Sequence, residues 1–481
     1  MYSPAKCFGH SWISKAYDDP VNNPFKSDRY LTFFFHIPDS LVMLIRKMHI
    51  SLRLPRLPSL LESYTCRAFL IFLIPYALLV YFARLTSWRD PTSLFFRENE
   101  AYEPSYSNLR AAEGLTLIEE ANNATEAPHV KASPNPTMCV GFASVAREGV
   151  SYFQSAVGSV LAGLDPVERG DIFLILFIAH TDPTQHPVYS ERWVHELADK
   201  VLLYDENDID IDHIRSLETA EARTLALEKG LLDYTYLLKA CTAIGTPYTV
   251  MLEDDIIALD GWYHRTKEAI SAVERQTAEK KASKWLYLRL FYTENFLGWN
   301  SEEWPIYLFY SLLSASAVLL TALIVRRYRP TSKPYLPRET IIVLTFVCTP
   351  LLIILFFAAG RATMLPISEG VHEMPKFGCC SQGFVFPHSR IKDLVSWYES
   401  KGIGYVDMLT EDYANQNGEL RWALTPSVLQ HVGSKSSKTN SPVPQKGIRT
   451  IPEKLWNFAF EKNDVNILRE EHGRQLRWGG S

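Results

Sequence analysis

Residues 248–262 read YTVMLEDDIIALDGW, and the fold turns on what this stretch is. Tyr248, Val250 and Leu252, with Thr249 and Met251 between them, make an apolar and partly β-branched run that predicts a buried strand. The run stops at Glu253, Asp254 and Asp255, so three carboxylates stand at the strand's C-terminal end. Open α/β sheets bind their ligands at that end, and clustered carboxylate oxygens suit Mg²⁺ or Mn²⁺ carrying phosphate. Taken alone, the triplet fits a solvated acidic turn between strand and helix equally well. The flanking sequence has to decide.

On the N-terminal side, residues 138–142, 172–178 and 201–203 are apolar strand-like runs separated by helical periods such as 152–164. This βαβ rhythm predicts a mainly parallel α/β sheet flanked by helices. Residues 221–243 form a helical stretch with a broad leucine face that leads into the acidic strand. On the C-terminal side, residues 262–280 are again helical and 285–291 (WLYLRLF) alternate like another strand. Three carboxylates in that setting favour a nucleotide-dependent domain over an isolated acidic turn.

Further out, the domain is interrupted. Residues 306–325 and 341–359 are uncharged apolar runs of membrane-spanning length, and residues 326–340 between them carry Arg326, Arg327, Arg329, Lys333 and Arg338. The positive-inside rule places that loop in the cytosol, giving a hairpin whose two ends emerge on one side. One folded domain, 137–305 plus 360–481, can then continue across it; two separate domains are the alternative. A third apolar run within 67–85 contains Pro75, tolerable in a membrane helix, and follows Arg46, Lys47, Arg53, Arg56 and Arg67. It reads as a signal anchor with residues 1–66 as a cytosolic tail. Residues 86–136, rich in Glu, Asn, Ser and Pro, read as a lumenal stem, and Asn123-Ala124-Thr125 is a glycosylation acceptor on the same side.

Composition agrees with a large enzyme-sized core and removes one class of partner. The 481 residues are 47% hydrophobic, and a net charge of −5 leaves no basic footprint for nucleic acid. Of seven cysteines, Cys7 falls in the tail and Cys66 and Cys348 at or in the membrane. Cys139, Cys241, Cys379 and Cys380 are left in an oxidising compartment, enough for one or two disulfides of open pairing.

Beyond the hairpin, Gly378 to Gly383 make a compact turn before a strand at 384–386. Thr410 is placed to cap a helix with Glu411 and Asp412 in its first turn. His431, in Gln430-His431-Val432-Gly433, lies in a β-like run where it could complete a metal's coordination.

The LEDD strand end, the glycine turn, the TED helix start and the late QHVG, in that order, resemble the landmarks of GT-A glycosyltransferases over residues 137–461. A GT-A domain split by a transmembrane hairpin behind a signal anchor is similar to the GPI-anchor N-acetylgalactosaminyltransferase family. The resemblance implies a UDP-sugar donor held by Ser144, Arg147, Glu253, Asp254 and Asp255. It further implies Mn²⁺ or Mg²⁺ on Glu253, Asp255 and His431, and Asp412 as the catalytic base, with Asp407 able to claim the same role. It implies transfer to the mannose core of GPI-anchored protein glycans with inversion. The setting it implies is a Golgi membrane protein with three transmembrane helices, a cytosolic N-terminus and a lumenal catalytic domain. Two other readings stay open: a branching N-acetylglucosaminyltransferase of N-glycans, against which the hairpin speaks, and a non-catalytic membrane scaffold that keeps a transferase fold. A glycosidase needs two carboxylates flanking a glycosidic bond, and no such lone pair stands out.

Overall fold

The computed structural model describes residues 63–123, 130–147, 149–219, 222–280, 284–374, 378–434, 449–450 and 452–478. Most of the expected tail, with Cys7 and its basic residues up to Arg56, and Ala124-Thr125 of the glycosylation acceptor lie outside the described residues. By contacts the chain divides into Met1–Arg67, described only from Ser63 where a helix begins, and Ala68–Ser481, which carries all that follows.

Along the chain come α1 (Tyr64–Thr86), α2 (Tyr106–Asn123), β1 (Met138–Ser144), α3 (Phe153–Leu161), α4 (Pro166–Gly170), β2 (Ile172–Ile178) and β3 (Lys200–Leu202). Then follow α5 (Arg223–Ile244), β4 (Tyr248–Glu253), β5 (Ile256–Ala258), α6 (Trp262–Glu279), β6 (Trp285–Arg289), α7 (Trp304–Tyr328) and α8 (Arg338–Ala358). The last are β7 (Gly370–Glu373), β8 (Gly383–Pro387), α9 (His388–Lys401), α10 (Val406–Asn417), β9 (Leu420–Thr425), β10 (Leu429–His431) and α11 (Val465–Trp478). Other short helical segments, such as Ile211–Glu218, are left unlabelled.

Eight strands form one sheet in the spatial order β3-β2-β1-β4-β8-β6-β9-β7, and β5 pairs separately with β10. β3, β2, β1 and β4 run parallel, as do β6 and β9. β8 is antiparallel to both of its neighbours, and β7 closes the edge antiparallel to β9. The mainly parallel α/β sheet expected from the alternating apolar runs is therefore present. Strands such as IFLILFI in β2 are buried on both faces because helices cover each side. Alternation along β1 sends Val140 and Phe142 into one core and Cys139 into the other.

β8 is synthesised after the hairpin yet pairs with β4 and β6, which precede it: Val385 stands opposite both Val250 and Leu288. Strands from both sides of the interruption thus belong to one sheet. α1, α7 and α8 are the three helices among the described residues long and apolar enough to cross a membrane. Their ends are tied together. Leu94 N and Ser93 Oγ donate to the Ala358 carbonyl at 2.9 and 3.0 Å, and Trp299 Nε1 donates to Phe357 O at 3.0 Å. Asp90 Oδ2 accepts from Thr363 N at 2.6 Å, in a corner where Gly360 (φ +92°) leaves no room for a Cβ.

Residues 86–136 are not all spacer. α2 packs against α3 so closely that a Cβ on Gly158 would lie 2.3 Å from Gly114 O. Arg110, 1% exposed, donates from Nη2 to Ser159 O and Ala162 O at 2.8 and 3.0 Å and from Nε to Ala258 O at 3.1 Å. Glycine contact and a buried cation, together with Tyr106, Ile118 and Ala121 in the core, hold this helix to the domain. Cys139 of β1 is bridged to Cys241 of α5, and Cys379 to Cys380. A loop of 102 residues closed by the first bridge contributes about 4.7 kcal/mol in the chain-entropy account.

Candidate active site

After Glu253 the chain turns through Asp254 and Asp255 into β5, and β10 holds that turn. His431 pairs with Ile256, and Val432 N donates to the Asp255 carbonyl at 2.9 Å. The pairing brings His431 Nε2 to 3.5 Å from Asp255 Oδ2. His431 Nδ1 lies 3.1 Å from Leu455 O, which fixes that nitrogen as the donor and leaves Nε2 to face the carboxylate. Burial alone would lower the pKa of His431, but the adjacent Asp255 outweighs it and holds the group above its ordinary value. Gly433 is required by the close approach: a Cβ there would sit 2.3 Å from Asp255 Oδ2 and 2.9 Å from His431 Nε2.

Asp254 faces the other way. Its two oxygens accept from Arg147 Nη1 and Nη2, each at 2.7 Å, and Oδ2 also accepts from Ser144 Oγ at 2.6 Å. Burial pushes the Asp254 carboxyl up, and the bidentate Arg147 opposes it. Since Ser144 gives its proton to Asp254, His186 Nε2, 3.0 Å from Ser144 Oγ, must be the donor in that contact. His186 is accordingly neutral: burial first, then the charges of His180 and Arg147, push it down to about 4. Arg147 Nη2 also lies 3.9 Å from Asp255 Oδ2, so one fixed cation serves both aspartates.

Glu253 is engaged by the glycine turn. The Ser381 hydroxyl donates to its Oε1, and Gln382 Nε2 donates to Oε2 at 3.1 Å. The next residue back along that turn, Cys380, donates its N–H to Asp407 Oδ2 at 2.9 Å. The turn therefore joins the end of β4 to the first turn of α10. Gly378 makes this approach feasible, since a Cβ there would meet Glu411 Oε1 at 2.9 Å and Arg289 Nη2 at 3.0 Å.

α10 begins five residues earlier than the sequence suggested. Gly402 and Gly404, both at positive φ, end α9 and redirect the chain, and Tyr405 in extended conformation precedes the first turn. Thr410 is thus not a cap: it is buried in the second turn, with its hydroxyl donated to Val406 O at 2.6 Å. Glu411 turns inward and accepts from Arg289 Nη2 at 3.0 Å, Arg421 Nη1 at 2.8 Å and the Tyr287 hydroxyl. Asp412 lies on the exposed face of the helix beside Met408, one turn before it.

The cluster assembled here, then, is Asp255 with His431, Asp254 with Ser144 and Arg147, and Glu253 and Asp407 on one short turn; Asp412 stands apart on the solvent side of α10. Sequence reasoning missed His186 and the Arg289–Glu411–Arg421–Tyr287 network. A signal for the latter existed, since Arg289 and Arg421 are charges inside apolar strands, which demand buried partners.

The donor set fits a divalent cation. Octahedral Mg²⁺ or Mn²⁺ with oxygens at about 2.1 Å places neighbouring ligands about 3 Å apart, close to the 3.5 Å between Asp255 Oδ2 and His431 Nε2. The Nδ1 bond to a backbone carbonyl is the usual support of a ligating histidine. Such ions bind through one or two protein ligands plus phosphate, so Glu253 can remain with Ser381 and Gln382.

The sequence pattern of the family described as GPI-N-acetylgalactosamine transferase PGAP4 matches residues 138–430, from β1 into β10 and across the hairpin. Alpha-1,3-mannosyl-glycoprotein 4-beta-N-acetylglucosaminyltransferase B of Danio rerio is 23% identical over 217 residues, which are 41% of this chain and 37% of that protein. The chain thus covers little more than a third of that relative's length. With more than half its residues inside the family pattern, the chain belongs to the GPI-N-acetylgalactosamine transferase family, and its described residues include three helices of membrane-spanning length.

Proposed function

We propose that this chain transfers N-acetylgalactosamine, or a closely related sugar, from a UDP-sugar to the mannose core of GPI anchors, with inversion, in the Golgi lumen. In this reading the N-terminus and the loop between α7 and α8 lie in the cytosol. The observation that carries the proposal is the 3.5 Å approach of Asp255 and His431 at the C-terminal end of β4, in a chain of this family.

A cation bound there supplies a Lewis acid that offsets negative charge on the departing diphosphate. Asp255 and His431 hold that place, and Gly433 keeps it open. Arg147, locked by Asp254, adds a positive charge 3.9 Å from Asp255. Ser144 fixes Asp254 and is itself held by His186. The acceptor hydroxyl gives its proton to a carboxylate of α10 as it attacks opposite the leaving group. Asp407, tied to the same turn as Glu253, is better placed for this than the solvent-facing Asp412.

The test is transfer from UDP-N-acetylgalactosamine to a purified GPI glycan, read by mass spectrometry. Asp255→Asn should remove product, and Asp407→Asn should lower turnover at least about a hundredfold while Asp412→Asn does not. Full activity of Asp255→Asn would end the reading; the reverse order at the two aspartates would return the base to Asp412. The likeness to the Danio rerio enzyme favours a second reading, transfer of N-acetylglucosamine to N-glycans. Presenting both acceptors and both donors in one assay separates them.

A further inference from the structure

Outside the residues assigned to transfer, α11 closes over α4 and α6 through a group of side chains the reaction does not use. Glu168 of α4 and His472 of α11 are buried, 6% and 8% exposed. His472 Nε2 lies 2.9 and 3.0 Å from the two Glu168 oxygens. His264, in the first turn of α6, stacks on His472 with ring centroids 5.1 Å apart and planes 18° from parallel. Both ring nitrogens of His264 are shut off from solvent, and neither makes a hydrogen bond. The Glu471 carboxylate is 3.5 Å from its Nε2 but is already paired with Arg265.

A buried ring nitrogen left without a partner is destabilising, because it gives up its bond to water and gains none in return. What does satisfy two stacked imidazoles and a carboxylate is a shared cation. One donor atom each from Glu168, His264 and His472 already lie within 4.8 Å of one another. Tetrahedral zinc with ligands at about 2.0–2.1 Å needs donor atoms about 3.3 Å apart. The Glu168–His472 pair is near that separation, and His264 has only to close on it by a side-chain adjustment. Two histidines and a carboxylate are a zinc donor set, whereas Mg²⁺ prefers oxygen alone. Glu168 is also held from behind, since Asp165 N donates to its Oε2 at 3.2 Å and leaves Oε1 toward the histidines.

We propose that Glu168, His264 and His472 bind one Zn²⁺ ion, with Glu471 or a water as fourth ligand, and that this ion clamps α11 onto α4 and α6. The site is separate from Asp255 and His431 and holds the C-terminal helix rather than the sugar donor.

The full-length chain purified in detergent and dialysed against Mg²⁺ should retain one zinc ion by elemental mass spectrometry. Replacing that zinc with Co²⁺ should give the intense visible absorption of a tetrahedral site. His264→Gln and His472→Gln should lose both the ion and the absorption, whereas Asp255→Asn should keep them. Zinc should raise the unfolding temperature of the wild-type chain and leave that of His264→Gln unmoved. A wild-type chain that retains no zinc and shows no cobalt absorption overturns the proposal without recourse to any variant. So does zinc that disappears in Asp255→Asn and persists in His264→Gln.

Discussion

Gly433 shows how narrowly the site is set at the scale of one residue. A methyl group there would occupy the space between Asp255 Oδ2 and His431 Nε2, so Gly433→Ala is expected to cost at least about tenfold in kcat/KM. His186 carries a prediction of another kind. The unfolded chain takes up the imidazole proton near pH 6.5 and the folded chain only near about 4, so acid favours unfolding. Its contribution is complete above pH 6.5 and is lost as the pH falls toward 4, by about 2 kcal/mol after allowance for partial screening. His186→Gln, which keeps a donor for Ser144, should remove that part of the acid sensitivity in melts between pH 4.5 and 7. The carboxylates at the end of β4 were legible through their setting, because the βαβ rhythm around the triplet, and not the triplet alone, set it apart from an acidic turn. The partners of those carboxylates were not: Ser144–His186 and Glu253–Ser381 are contacts across separate elements, which spacing cannot encode.

At the scale of elements, the apolar strands announced themselves and α2 did not. Its contact with α3 is made through Gly114 and Gly158, and Arg110 donates to three backbone carbonyls, so a glycine and a cation interrupt the apolar face made by Tyr106, Ile118 and Ala121 and blur its period. Gly158→Ala would drive a Cβ to 2.3 Å from Gly114 O and should cost about 2–3 kcal/mol, measurable as a fall in unfolding temperature with the transferase site untouched. The start of α10 was misplaced for a related reason. Thr-Glu-Asp carries the composition of a helix N-terminus, but Gly402 and Gly404 redirect the chain earlier and Glu411 is drawn inward by Arg289 and Arg421. Tertiary charge pairing overrode the local signal.

For the whole molecule, the question is what the hairpin does for a domain that folds across it. Segment 87–97 and the end of α8 are knotted by the bonds of Asp90, Ser93 and Leu94, so the anchor and the hairpin leave the domain at one place. A lipid-linked acceptor would meet a cleft held low over the bilayer. Replacing residues 306–359 by a short flexible linker should leave transfer to a free glycan within about threefold of the parent chain while sharply lowering transfer to membrane-bound GPI. Equal losses on both acceptors would mean the helices support the fold instead. The position of β8 adds a constraint in time. Because the strand between β4 and β6 is among the last to leave the ribosome, the nascent chain must carry two open strand edges through insertion of both hairpin helices before its centre can be filled. A message cut short anywhere before codon 383 therefore yields a client for quality control, never a feebler enzyme.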